Sequence, residues 1–461
     1  MKFKTNAIIG LIFLGLLGFV YFYEIVGGDQ RRQEAEKSKR LLDFTEGHVR
    51  RLALGRGDTS IVLQKGTDGW RLSSPVVDRA DQEAVERYLR NLGESEREKT
   101  VVDNASVTGA EAAKYALDAP RLTIELETED GEKQEVKWGA DSPTDRFTYA
   151  QIGGANPEIF VVRAWRFDNL DKSLFDFRDR KVLAFAKDEV VELRRKGPDG
   201  EFVLVRDQET WQMRQPVSAL ADGDAVNALL NKIDTSEIEA FIDEGPDQEA
   251  LKAYGFGPHK TELTMLVGPD KVEKRLVIGG DNGQGSFYAR DASRPQVFLL
   301  DSTLVQQAVK DANALRDKKP LRFDKDSITE IALGKQGKQV FAAAKDTAGI
   351  WDLTDPPGRE GKSWKLNSLL GDLNQLEVVG FAGEVPEGAV LTLVIALTGD
   401  GKDSLVISVH QVDGVSYLRQ EGDPAVYIMD AEDFAEFDLG LEDVAQAPPK
   451  PADSAGGADG G

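Results

Sequence analysis

The chain contains no cysteine, which excludes a disulfide framework, a thiolate zinc site, an iron–sulfur cluster and a cysteine nucleophile. Histidine is scarce. The three residues His48, His259 and His410 form no H-x3-H or H-E-x-x-H spacing, so imidazole ligation of a metal and a histidine general base are not expected. Basic residues are outnumbered, 57 Lys and Arg against 80 Asp and Glu, and a net charge of −23 works against broad binding to nucleic-acid phosphates or anionic lipid. A G-x-S-x-G nucleophile elbow is absent as well. The chain is therefore expected to carry no catalytic, cofactor-binding or metal-binding residues and to bind no nucleic acid. What it does have is 461 residues, 41% hydrophobic and 30% charged, enough for about three globular domains.

The longest apolar run lies at the start. Nineteen residues between Lys4 and Glu24 carry no charge, about 28 Å as a helix against the ~30 Å hydrocarbon core of a bilayer. Tyr21 and Tyr23 sit where a headgroup belt would favour them, and no A-x-A cleavage site follows. The run predicts an uncleaved transmembrane anchor over residues 5–26, followed by a polar stalk over 27–41. Lys2 and Lys4 precede it, but Arg31, Arg32, Lys37, Lys39 and Arg40 follow, so the positive-inside count does not favour a cytoplasmic N-terminus. The very short N-terminal tail, typical of a bacterial signal anchor, places the bulk of the chain outside the cytoplasm, as a single-pass protein of the inner membrane.

Self-similarity supplies the domain organisation. Trp70, Trp211 and Trp351 are each followed five residues later by Pro75, Pro216 and Pro356, with spacings of 211 − 70 = 141 and 351 − 211 = 140. Leu42-Asp43-Phe44, Leu183-Ala184-Phe185 and Leu321-Arg322-Phe323 run in the same phase, each ahead of an alternating, strand-like stretch. After the prolines, Asp81 and Asp222 are candidate helix caps, with Val85, Tyr88, Leu89 and Leu92 matching Val226, Leu229, Leu230 and Ile233 on one helix face. The third copy keeps Leu369, Leu370 and Leu373 but has Gly358-Arg359-Glu360-Gly361 at the helix entry. Antiparallel strands with Gly or Asp turns follow, then a second helix near residues 166–175 and 302–314. The fold class is α+β: a transmembrane helix followed by three tandem modules with mainly antiparallel sheets, over 42–185, 186–323 and a divergent 324–444. The Ala, Pro, Gly and Asp of 445–461 predict a disordered tail.

The residue constellations read as structure before chemistry. The Trp-x4-Pro landmark fits a core or hairpin anchor better than a stacking platform for a ligand. Arg178-Asp179 and Arg316-Asp317, 138 residues apart, read as an ion pair fastening one module to the next, ahead of an anion site. The tyrosine motifs Y-A-L-D-A-P from Tyr115 and Y-G-F-G-P from Tyr254 differ by one residue in spacing and shape turns. The run Gly279-Gly280-Asp281-Asn282-Gly283-Gln284-Gly285 lacks the Lys and Ser/Thr of a phosphate loop and joins two strands. No acidic cluster has the spacing of a calcium loop, and no pair of carboxylates stands out for hydrolysis.

The Trp-Arg-Leu-x2-Pro landmark, Ala80-Asp81 and Ala221-Asp222, Tyr254-Gly255-Phe256, Ile278-Gly279 and Tyr288-Ala289-Arg290 resemble a bacterial family catalogued as domain of unknown function 4340. The resemblance covers nearly all of the chain from Leu42 to Leu439. It implies membrane-anchored proteins encoded beside gliding-type ABC exporters, and hence an envelope accessory role by association. The resulting expectation is a non-catalytic periplasmic scaffold, bound to the bilayer through its N-terminal helix and docking on an ABC-type transport complex. The alternatives are a binding module for an envelope polysaccharide or lipid, and a carboxylate-dependent hydrolase.

Overall fold

Alternation of buried and exposed side chains, as in the strand Thr261–Val267, builds sheets with one face inward. The structure is a computed structural model that describes residues 15–17, 19, 21, 39–103, 106–154, 157–399 and 404–447. The first sheet contains β1 (Val49–Arg56), β2 (Thr59–Gly66), β3 (Gly69–Ser74), β4 (Asp78–Arg79), β5 (Lys99–Val102), β6 (Leu122–Thr128), β7 (Lys133–Asp141), β8 (Phe147–Ile152) and β9 (Glu158–Arg163). Its order is β4-β3-β2-β1-β6-β7-β8-β9-β5, and all neighbours are antiparallel.

The next copy contains β10 (Val190–Gly197), β11 (Gly200–Asp207), β12 (Thr210–Gln215), β13 (Ala219–Leu220), β14 (Ala240–Asp243), β15 (Thr261–Val267), β16 (Val272–Asp281), β17 (Ser286–Asp291) and β18 (Val297–Asp301). Here β13-β12-β11-β10-β15-β16-β17-β18 lie side by side in that order. The last copy has β19 (Ile328–Lys335), β20 (Lys338–Lys345), β21 (Trp351–Asp355), β22 (Gly380–Ala382), β23 (Val390–Gly399), β24 (Ser404–Val412), β25 (Val415–Gln420) and β26 (Val426–Met429). They are ordered β21-β20-β19-β23-β24-β25-β26-β22. Irregularities recur at matching places: the β1–β6 register shifts between Val49 and Arg51, β10–β15 between Val190 and Glu192, and β19–β23 between Ile328 and Glu330.

The longest described helix of each copy packs on its sheet: α1 (Gln82–Gly93), α2 (Gly223–Thr235) and α3 (Ser363–Gln375); a shorter one, Ala164–Leu170, Ser302–Ala308 or Ala431–Phe437, lies beside the last strands of the same sheet. The buried residues of α1, α2 and α3 are Val85, Tyr88, Leu89 and Leu92; Val226, Leu229, Leu230 and Ile233; and Leu366, Leu369, Leu370 and Leu373. Each set is an i, i+3, i+4, i+7 stripe, and each of these side chains contributes about 1.5–3 kcal/mol by leaving water. Asp81 and Asp222 accept hydrogen bonds from the backbone N–H of Ala84 and Ala225, both at 3.0 Å, and so cap the first two helices. In the third, Lys362 provides no such cap, and the Ser363 hydroxyl oxygen instead accepts the Trp351 backbone N–H at 3.1 Å.

Trp70, Trp211 and Trp351 stand at the start of these helix-bearing faces, all with at most 3% exposure. In the first copy the Gln82 amide ties both backbone groups of Trp70, accepting at 2.6 Å and donating at 2.9 Å. In the third, the Trp351 indole N–H donates to Asn367 Oδ1 at 3.0 Å. The peptide bonds before Pro75, Pro216 and Pro356 are all cis.

Several expectations need correction. Among the described residues no helix is long and apolar enough to cross a membrane, a finding that stands against the transmembrane helix expected over residues 5–26. The longest described helices, α2 and α3 with 13 residues each, reach only about 20 Å, and a polar face such as Glu83, Glu86, Arg87 and Arg90 of α1 could not be satisfied in hydrocarbon. Of that expected span, Gly15, Leu16, Leu17, Phe19 and Tyr21 are described, and the rest lies outside the described residues. The same is true of 27–38 in the stalk and 448–461 in the tail.

At the other end of the stalk, Leu41 is fully buried in the first core, with its N–H on the Ser95 carbonyl at 2.7 Å. Ala445 is buried and bridges Gly361, so the third module extends past the expected tail boundary. The second helix of the first copy is split into Ala164–Leu170 and Leu174–Phe177, because Arg56 draws out Asp171 and the Lys172 carbonyl at 2.5 and 2.7 Å.

The described residues form two compact units. One holds the chain up to Lys181 with Glu237–Gly245; the other holds Val182–Ser236 with the chain from Pro246 onward, and so contains the third sheet entire.

Replacing the buried Trp351 by Ala is expected to lower stability by about 3–5 kcal/mol in urea unfolding followed by circular dichroism. Trp364, 70% exposed on α3, should change it by no more than about 0.5 kcal/mol when replaced the same way.

Candidate functional site

The two Arg-Asp dipeptides sit at equivalent places. The backbone of Arg178 bridges Ala80 and that of Arg316 bridges Ala221, while the N–H of Asp179 donates to the Arg79 carbonyl and that of Asp317 to the Leu220 carbonyl. Each arginine is thereby laid beside the short strand that precedes the module helix, β4 or β13. Each guanidinium then lies over an aromatic ring, Arg178 over Phe241 at 3.2 Å and Arg316 over Phe381 at 3.7 Å. The two phenylalanines are 140 residues apart, within the repeat period.

Beyond this frame the two arginines differ. Arg178 is 2% exposed and donates through Nε and Nη2 to Asp78 Oδ2 at 2.8 and 2.6 Å. It also grips Glu244, with Nη1 to Oε1 at 2.5 Å and Nη2 to Oε2 at 3.0 Å. Two carboxylates and one ring close around it, and charge-assisted bonds of this kind are among the strongest a side chain makes.

Arg316 has a different environment. In the hairpin register Leu72 faces Asp78, and the corresponding pair in the next copy is Met213 with Ala219, so a methyl group stands where the first copy has its buried carboxylate. Glu384, the counterpart of Glu244 by the 140-residue period, is exposed. Among the described residues no carboxylate lies within ion-pair distance of Arg316, and its buried Nε has no hydrogen-bond partner. Burial holds this guanidinium below its ordinary pKa.

A cavity of about 670 Å³ opens at Arg316. Residues 217–220 form one wall; Asp317, Lys319, Pro320 and Arg322 continue from the arginine; Ala382, Gly383, Gln420, Asp423, Pro424, Ala425 and Tyr427 close the far side. The two acids are already engaged. Asp317 pairs with Arg322 and accepts the Lys319 N–H at 2.9 Å, and Asp423 accepts the Tyr427 hydroxyl at 2.7 Å and the Ala425 N–H at 2.9 Å. Burial, then the bond to Asp423, raises the Tyr427 pKa, so its phenol is neutral at physiological pH and donates.

The other sequence landmarks fall in structural places. The Tyr115 and Tyr254 carbonyls accept the N–H of Ala140 and Gly280, both at 2.9 Å, at the bulges of β7 and β16. A Cβ at Gly139 would sit 2.1 Å from the Tyr115 carbonyl oxygen, and one at Gly279 would sit 2.4 Å from that of Tyr254. The glycine at the head of the Gly279–Gly285 run is thus required by a close backbone approach. His48 closes a single-turn helix, while His410 lies in β24 with its pKa lowered by burial and by Arg419. Among the described residues no group of three or more His, Asp or Glu could hold a metal ion.

Sequence reading missed Asp78, Phe241, Glu244, Phe381 and Tyr427 as neighbours of the arginines. The repeat offset was the available signal: it aligns Phe241 with Phe381 and Glu244 with Glu384, and it exposes Ala219 where Asp78 stands one copy earlier.

Fold and site together define a tandem-repeat protein of wide antiparallel sheets, each covered by a helix. The family model described as a domain of unknown function (DUF4340) matches residues 70–256 and 211–393, and the chain belongs to this family. The two matches begin at Trp70 and Trp211, so they fall in the phase of the internal repeat. No curated protein matches the chain, and no solved structure does.

Removing one partner of the closed cluster leaves the other charge buried. Asp78→Asn is therefore expected to cost about 3–5 kcal/mol of stability in denaturant unfolding. The exposed Glu384→Gln should fall within about 0.5 kcal/mol of the parent.

Proposed function

We propose that this chain is a non-catalytic accessory or scaffold protein of the bacterial cell envelope, with its sheet modules outside the cytoplasm, docking on an ABC-type transport complex. The resemblance to proteins encoded beside gliding-type ABC exporters supports the partner class. A membrane-crossing N-terminal helix is not part of the proposal. The observation that carries docking is an exposed aromatic in a protein that otherwise buries its repeated tryptophans: Trp364 is 70% exposed at the start of α3. Ile350, 49% exposed, precedes Trp351, whose backbone N–H is bonded to the Ser363 hydroxyl beside Trp364 in the chain. A large apolar side chain left in water at a helix end is a typical anchor for a protein partner.

Affinity capture of the full chain from detergent-solubilised membranes of the source bacterium should recover subunits of an ABC-type transporter. Trp364→Asp should reduce that recovery without changing the thermal unfolding of the protein. Isolation of the protein alone would overturn docking, and a periplasm-dependent reporter fused after Gly461 that stays inactive would overturn the placement.

A further inference from the structure

The strongest unassigned feature is the difference between two arginines that the repeat places alike. Around Arg178 the frame of bridged strand, stacked phenylalanine and guanidinium is completed by the Asp78 carboxylate. Around Arg316 the same frame recurs, with Ala221 bridged and Phe381 stacked, but Ala219 brings no carboxylate and a cavity opens instead. We propose that the Arg316 cavity is a binding site for a small organic carboxylate, whose carboxyl group takes the position relative to Arg316 that Asp78 takes relative to Arg178.

Four features support this assignment. The guanidinium is held flat by Phe381, so its fork is oriented before a ligand arrives and little side-chain freedom is lost on binding. Its buried Nε–H lacks an acceptor, a deficit that a carboxylate oxygen would remove with a charge-assisted bond. Arg316, Lys319 and Arg322 line the space against Asp317 and Asp423, so the lining carries more positive than negative charge, although Arg322 is paired with Asp317. Finally, Val217, Pro320, Ala382 and Pro424 offer apolar surface to the remainder of the ligand, and about 670 Å³ suits a small molecule.

A carboxylate is preferred to a phosphate because the equivalent position in the first copy is filled by one, in a geometry where Nε and Nη2 share a single oxygen. The inference does not depend on the docking surface at Trp364.

The test is ligand-observed NMR on the full chain with hexanoate as probe, hexanamide as its uncharged counterpart and inorganic phosphate as a second anion. Hexanoate should bind, and hexanamide and phosphate should bind at least about tenfold more weakly, the loss expected for one charged hydrogen bond. Arg316→Met should weaken hexanoate by a similar factor. Ala219→Asp supplies an internal carboxylate on the pattern of Asp78, so it should abolish hexanoate binding and raise the thermal midpoint. That rise also shows that the variant has folded. Absence of hexanoate binding to the parent protein, equal binding of hexanamide or phosphate, or undiminished binding to a folded Ala219→Asp would each overturn the proposal.

Discussion

An antiparallel sheet eight or more strands wide has more apolar face than its own side chains can cover, and the molecule depends on how that face is closed. Each copy closes it chiefly with a helix of about three and a half turns, carrying four buried residues in an i, i+3, i+4, i+7 stripe, and a shorter helix adds to the cover. The helix must enter at a set height above the sheet. The buried tryptophan one strand earlier sets that height, because its backbone is bonded to the helix start by Gln82 in the first copy and by Ser363 in the third. Core packing and chain direction are thus settled by the same residue, which accounts for tryptophan being kept where the surrounding side chains vary.

With the scaffold repeated, what differs between copies is what can confer function. Arg178 and Arg316 share a backbone bridge and an aromatic partner, so the same construction is present twice. With alanine in place of the aspartate and Glu384 exposed, the closed ion-pair cluster of the first copy gives way to an open cavity with a surplus of positive charge. The energetic contrast lies at the half-buried Arg316, whose buried Nε–H keeps its desolvation cost with no acceptor in return. A protein can hold such a group when the rest of its core is well packed, as the third sheet is around Trp351, Phe341 and Leu397.

Much of the architecture could be read from residue order because it is periodic and local. The tryptophan spacing, the capping aspartates and the helix stripes all depend on neighbours within a few residues, and each appears in the structure at the matching place in the first two copies. The third copy departs at Lys362, where no side-chain cap forms, which follows from the altered Gly358 to Gly361 entry. The transmembrane expectation stands apart from these. It rested on the length of an apolar run, and no described helix combines that length with an all-round apolar surface. The tyrosine motifs were legible as turns, whereas the need for Gly139 and Gly279 came from backbone oxygens more than 20 residues away.

The amino-acid order by itself determined the repeat, the helix faces and their caps, because these arise from spacing along the chain and from bonds between near neighbours. Only the tertiary structure decided what the two Arg-Asp pairs become. The residues that close or open each guanidinium lie about 100 positions away, on β4 or β13, and sheet register alone brings Asp78 to one arginine and Ala219 to the other. Charge, burial and cavity therefore follow from a pairing between strands that no local pattern specifies.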